Sequence, residues 1–422
     1  MAFIPFLYFT LLTIYWWKKH QGIDVCVYMS GLFAITSFCS IPLVMGNMLD
    51  DGGILFDEYN LELGFFPTFL YCALITLGIF PFSLIYNKEI KRIAQPSSLV
   101  LEGCCWFLFG VFLLNFYIVA DSTAEILSGD LANVRAEHNE GILSPAEVKA
   151  ESLPFAIRLF FYFNMATILG LPLFFYYNCF SGKPWWYKTM LFVTPFSMTL
   201  VGMQVADRTE LTFYGMMFIF CLIFFWKFLS KTFKRRLGYF GIPLVSLVVL
   251  YLVVVSVARF SKNDDNENVY IGALQYAGQN YLNFCYFWEH GKFEYLAPER
   301  EFPMTYHTFF DIHSNAERRS ERSGEQGFFM SVFASYIGDV MLDLSPIGML
   351  IWCIAFFVIT LSVIQYAHRE EYDIGDILLI FILAAIPIFG IFYYRYYSFN
   401  SFYMLMVAVA IYIVSKVKIT YE

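Results

Sequence analysis

The feature that most constrains this chain is a succession of apolar runs of roughly 16–25 residues that recurs from Met1 to about Lys416. A helical run of that length crosses ~30 Å of hydrocarbon at about 1.5 Å per residue. An open sheet in lipid would leave its edge N–H and C=O groups without partners, and the runs lack the two-residue alternation of an outer-membrane barrel. The chain therefore reads as an all-α, polytopic integral membrane protein. Composition agrees: 59% of the 422 residues are hydrophobic and only 15% charged, where a soluble domain carries about one quarter charged residues.

Eleven transmembrane helices are expected, at about 2–17, 23–46, 65–86, 98–120, 154–178, 189–206, 209–229, 239–258, 346–366, 377–394 and 402–416. They divide the chain into residues 1–258 with spans 1–8 and short loops, an extracytoplasmic loop over 259–345, and residues 346–422 with the last three spans. Every second connection is basic: Lys18 and Lys19, then Lys88, Lys91 and Arg92, then Lys183 and Lys188, then Lys231 to Arg236, then Arg369, and finally Lys416 and Lys418. The intervening loops are acidic; 47–64 holds five acids and no Lys or Arg. The excess of bases on cytoplasmic loops places the N-terminus outside and the C-terminus in the cytoplasm. The net charge of −8 comes from the outer loops and gives no reason to expect a nucleic-acid partner. The first apolar run has no basic region before it and reads as a retained span rather than a signal peptide.

Two helix starts are legible outside the spans. Ser144-Pro145-Ala146-Glu147 carries a capping serine, a first-turn proline and a glutamate, and predicts a short surface helix. Ser345-Pro346 opens the ninth span in the same way. The stretch before it, GFFMSVFASYIGDVML (327–342), is apolar but interrupted by Gly338 and Asp339, and reads as interfacial or re-entrant. The nine cysteines lie almost all within apolar runs, with no CxxC, and read as small buried hydrophobes.

Candidate chemistry gathers on the outer face. In VADRTELTFYG, Arg208 stands between Asp207 and Glu210 where spans 6 and 7 meet. The plain reading is a tight hairpin whose acids neutralise the arginine. The functional one is a cation held for a phosphate at headgroup level, since a guanidinium binds phosphate oxygens in pairs and a helix N-terminus adds its positive dipole end. Arg259 follows span 8, Arg395 sits in FYYRYYSFNS, and NAERRSER (315–322) supplies Arg318, Arg319 and Arg322; solvated or snorkelling charges are the alternative for each. His307 and His313, with Asp311, Glu289 and Glu301, could accept a proton from an acceptor hydroxyl. Tyr276 and Tyr306 could stack on sugar rings, or simply pack. No DxD, HExxH or CxxC occurs, and a metal site is not expected. Few ionisable residues lie at hydrocarbon depth, which weakens an ion-coupled transporter reading.

The arginine hairpin, the basic run after span 7, the long outer loop before the last spans, and the stretches YIGALQYAGQNYLNF (270–284) and ASYIGDVMLDLSPIGMLI (334–351) together resemble the O-antigen and capsular-polysaccharide repeat-unit polymerases. The resemblance is one of layout across the whole chain. It implies a GT-C-like, metal-independent glycosyltransferase of the bacterial inner membrane that needs no cofactor. Such an enzyme joins undecaprenyl-diphosphate-linked glycans on the periplasmic face, and its partners are the lipid-linked donor and acceptor and the bilayer. A chain-length regulator and a flippase could also be partners. Arg208 is similar to the family's outer-face arginine, and Arg318, Arg319 and Arg322 match its outer-loop arginines loosely. An O-antigen ligase shares the donor and the layout. A lipid-linked oligosaccharide flippase would be expected to have more spans, buried charges and no large outer loop, and a non-enzymatic membrane scaffold is a further alternative.

Overall fold

Uninterrupted apolar runs satisfy their own backbone only as helices. The computed structural model, which describes residues 1–46, 63–87, 92–94, 99–128, 144–180, 182–204, 207–239, 269–293, 301–302, 323–324, 326, 332–367 and 371–416, has helices as its regular structure apart from one two-residue parallel pairing. Among the described residues, five helices are long and apolar enough to cross a membrane: Val25–Met45, Phe65–Ile85, Leu101–Ala120, Ile157–Asn178 and Ser335–Tyr366. Thr209–Phe225, Ile374–Phe389 and Asn400–Lys416 are shorter apolar helices. The chain is thus an all-α membrane protein. The expected span 239–258 lies outside the described residues. None of the nine cysteines is in a disulfide.

Several spans are broken, some of them at prolines, although Pro42 and Pro387 lie inside continuous helices. Phe65–Ile79 gives way to a 3-10 turn at Phe80–Phe82, with Pro81 inside it. The span expected at 154–178 is Phe155–Tyr162, a seven-residue 3-10 segment Phe163–Leu169, and Gly170–Asn178. The next begins earlier than expected, as Trp185–Val193, and resumes after Pro195 as Phe196–Met203. The surface helix expected after Ser144 is Pro145–Glu151. Ser345 also ends one helix and caps another: its φ of 65° and ψ of 171° interrupt Ser335–Tyr366, Pro346 follows, and Ser345 Oγ accepts the Gly348 N–H at 3.4 Å.

The chain forms two compact units, each assembled from separate stretches. The first comprises residues 1–89, 263–368 and 383–399. The helices Phe3–His20 and Val25–Met45 form a hairpin in which Asp24 caps the second helix, accepting the Val27 N–H at 2.8 Å and meeting His20 Nδ1. On them lies Val269–His290, which the sequence leaves inside the outer loop. Its Tyr281, Phe284, Cys285 and Phe287 are buried, Tyr281 OH meets Thr68 Oγ1 at 2.6 Å, and Tyr71 packs against both Tyr281 and Phe284. The two helices approach closely at Gly278, where a Cβ would stand 2.6 Å from the Cys39 carbonyl. Lipid tails are as apolar as leucine, so this close fit, rather than escape from water, holds such helices together.

Within the stretch expected to be interfacial or re-entrant, the described part is helical, and from Ser335 to Asp343 every residue is buried. Tyr336 fills the space left by Gly78 and Gly390, and its hydroxyl reaches the Leu74 carbonyl at 3.5 Å.

The second unit comprises residues 90–262, 369–382 and 400–422. Ile118, Val119, Ala150 and Phe161 form a cluster that also takes in Leu114, Leu153, Leu200 and Val201. Its described ion pairs stand at helix ends: Lys183 to Glu102 at 2.5 Å, and Lys416 to Asp373 at 2.6 Å and Asp376 at 2.8 Å. The two-residue strand Arg92–Ile93 runs parallel to Glu371–Tyr372, so two of the basic connectors meet there.

Candidate functional site

The first unit holds a group of described charges in its interior, around a non-helical segment. The helix Ile374–Phe389 ends at Gly390, and GIFYYRYYS (390–398) runs on as irregular chain with Arg395 only 1% exposed. Irregular backbone at such a place must find partners within the protein. It finds them in four groups. The N–H groups of Ser335 and Tyr336, which have no intrahelical acceptor at a helix start, donate to the carbonyls of Phe392 and Gly390, each at 3.0 Å. Asp339 Oδ2 accepts the Tyr394 N–H at 2.7 Å. Asn280 Nδ2 donates to the Ile391 carbonyl.

Three carboxylates belong to the same interior. Asp339 and Asp343 stand one helical turn apart, both fully buried, and Glu301 is 2% exposed. The Glu301 N–H donates to Asp343 Oδ2 at 2.6 Å, and the next side chain, Phe302, meets the Tyr394 ring at 5.4 Å. The described site therefore contains three acids and one base, and burying them is costly unless each is paired or hydrogen-bonded. Aromatic rings complete the enclosure. The Arg395 guanidinium carbon lies 5.4 Å from the Phe389 ring centroid, a cation–π distance. Tyr394 stands edge-on to Trp352, and Tyr393 stacks on Phe333.

A stripe of carboxamides runs along one side of Val269–His290. Gln275, Gln279 and Asn283 are spaced four apart, which puts them on one helix face, with Asn280 beside them; all four are buried. Asn283 Nδ2 donates to the Phe333 carbonyl at 2.8 Å and to Gln279 Oε1 at 3.2 Å. The Oδ1 atoms of Asn280 and Asn283 have no hydrogen-bond partner among the described residues. Tyr276 lies 4.9 Å from Phe333, centroid to centroid. Two residues singled out in the sequence, Arg395 and Tyr276, thus meet the same aromatic set through Phe333 and Tyr393.

Arg208 belongs to the second unit. It is half-buried and stands immediately before Thr209–Phe225, where its carbonyl accepts from the Thr212 N–H and hydroxyl, each at 3.0 Å. The hairpin is as tight as expected. Asp207 has a local task there, Oδ1 accepting the Thr209 N–H at 2.9 Å, and Glu210 packs over Gly202. Glu289 is exposed, with its carboxylate against Gly64. Arg259, Tyr306, His307, Asp311, His313, Arg318, Arg319 and Arg322 lie outside the described residues.

Sequence reasoning misses Asp339, Asp343, Asn280 and Asn283 as site residues. The available signal is two carboxylates one turn apart in an otherwise apolar stretch, facing a helix with amides at four-residue spacing. Chemically, the arrangement offers a fixed cation for an anionic group, carboxylates able to take a proton, and amides and rings of the kind that meet hydroxyl-bearing ligands. Compared with family models, with curated proteins and with solved structures, this chain matches none.

Proposed function

We propose that this chain is a lipid-linked repeat-unit polymerase: an all-α bacterial inner-membrane glycosyltransferase of about eleven spans, N-terminus outside, acting on undecaprenyl-diphosphate-linked glycans at the periplasmic face. The observation that carries the proposal is Arg395, fully buried in an irregular segment and accompanied by Glu301, Asp339 and Asp343. Transfer to a sugar hydroxyl requires three things. A cation must stabilise the departing diphosphate, a base must take the hydroxyl proton, and polar and aromatic groups must hold the sugars.

In this reading the acceptor oxygen attacks the anomeric carbon of the donor. The bond from that carbon to the phosphate oxygen breaks, the diphosphate leaves with the electron pair, and the hydroxyl proton passes to a carboxylate. Arg395 stabilises the leaving group. Glu301, whose backbone Asp343 holds, is the base. Asp339 positions the segment that carries Arg395. Arg208 is a second candidate phosphate contact, in its own unit.

The test is the size distribution of lipid-linked and surface glycans in cells lacking the protein, complemented with wild type, Arg395→Lys or Glu301→Gln. The reading expects single repeat units to persist on the outer leaflet while longer chains vanish, with neither variant restoring them. Accumulation of long lipid-linked chains would make the protein a ligase, and units trapped on the cytoplasmic side would make it a flippase.

A further inference from the structure

The second unit contains polar groups of a different kind, and they do not depend on the polymerase reading. The helix Leu99–Ser128, the 3-10 segment Phe163–Leu169 and the helix Phe196–Met203 pack against one another. Each contributes a buried neutral polar side chain with an oxygen that has no hydrogen-bond partner among the described residues. Asn115 is fully buried, and neither its Oδ1 nor its Nδ2 has a hydrogen-bond partner among the described residues. The same holds for Asn164 Oδ1, in a side chain 5% exposed, and for Ser197 Oγ, in one fully buried.

Their placement is shared. Residues 118 and 119, 161, and 200 and 201 belong to one cluster. Asn115, Asn164 and Ser197 each lie three or four positions from those residues, hence on the same faces of their elements.

The same break in the helices frees a backbone oxygen farther along the unit. Pro195 has no N–H, so the Leu191 carbonyl loses its usual donor four residues on. That oxygen would lie 2.9 Å from a Cβ placed on Gly170, the residue that ends the 3-10 segment. A 3-10 run longer than three or four residues is uncommon and tends to mark a functional site. Inside a membrane, broken helices are tolerated where they line a polar cavity, and their unwound carbonyls are suited to alkali cations.

We propose that Asn115 Oδ1, Asn164 Oδ1 and Ser197 Oγ form the core of a binding site for a monovalent cation of the sodium or potassium kind inside the second unit. Neutral oxygens suit such an ion. They replace part of its hydration shell without the fixed negative charge that would favour a divalent one. The cation in turn gives the buried amide oxygens the partner they lack.

The experiment is thermal unfolding of the full chain in detergent or nanodiscs, in NaCl, KCl and choline chloride at equal ionic strength. The expected result is a rise of several degrees in the midpoint, in one or both alkali salts relative to choline, that saturates with concentration. Asn115→Leu and, separately, Ser197→Ala should remove that rise. In choline, Asn115→Leu should be at least as stable as wild type, because it deletes a buried unpaired amide. Equal midpoints in all three salts would overturn the site. So would an alkali-specific rise that survives undiminished in both variants. Should Asn115→Leu fail to fold, Ser197→Ala, which removes one oxygen and leaves the shape, decides the question.

Discussion

The two units treat polarity in opposite ways. The first buries described charges, namely Arg395, Asp339, Asp343 and Glu301, in the crook of an irregular segment. The second keeps its described ion pairs at helix ends, where Lys183 and Glu102 are 27% and 37% exposed and the buried Asp376 is paired with Lys416. A pair at the rim costs little to form and contributes little. A buried charge must be compensated on all sides or the fold loses several kcal/mol. The first unit holds the larger group of described buried charges, and with it the more demanding chemistry.

The largest expected effect breaks the contrast at its centre. Arg395→Ala should destabilise the protein by ~3–5 kcal/mol, because it leaves buried carboxylates without their cation; a fall in unfolding temperature in nanodiscs would measure it. Arg395→Lys keeps the charge but loses the planar fork. It should stay folded by the same assay while polymer disappears from the cell surface, which separates function from stability. Gly278→Val sets a side chain against the Cys39 backbone and should cost ~1–3 kcal/mol by overpacking, without touching any charge. If it proved harmless, the helix Val269–His290 would not be held as tightly as the contact implies. Asp24→Ala removes the cap of Val25–Met45 and should cost about 1 kcal/mol. Lys183→Met, at the rim of the second unit, should cost well under 1 kcal/mol. A loss there as large as that of Arg395→Ala would erase the distinction between the units.

Much of this architecture is legible in one dimension. Apolar runs mark the spans, Pro81 and Pro195 mark two of their breaks, and Ser144 and Ser345 mark helix starts, because each of these is a local property of the chain. Arg395 stands out for the same reason, as a base in a short aromatic loop where bases are otherwise scarce. What stays hidden is whatever depends on distant partners. Asp339 holds the Tyr394 N–H from 55 residues away, and Asn280 holds the Ile391 carbonyl from 111 residues away. Without those partners, 335–343 reads only as an interrupted interfacial or re-entrant piece, and the amides of 275–283 read as a loop. The aromatic content of the outer loop does indicate that it packs. It cannot indicate that a whole helix of the loop lies along Val25–Met45.

The short pairing of Arg92–Ile93 with Glu371–Tyr372 bears on how the protein is made. At ~5–20 residues per second, the first of these strands leaves the ribosome on the order of half a minute before its mate. Until then the second unit cannot close, and the first still lacks residues 383–399. Each unit opens early in translation and is finished only near its end, so no single cut in the chain would separate them into two independently expressible halves. During that interval the polar faces of both need partners other than their final ones, because lipid tails offer no hydrogen bonds.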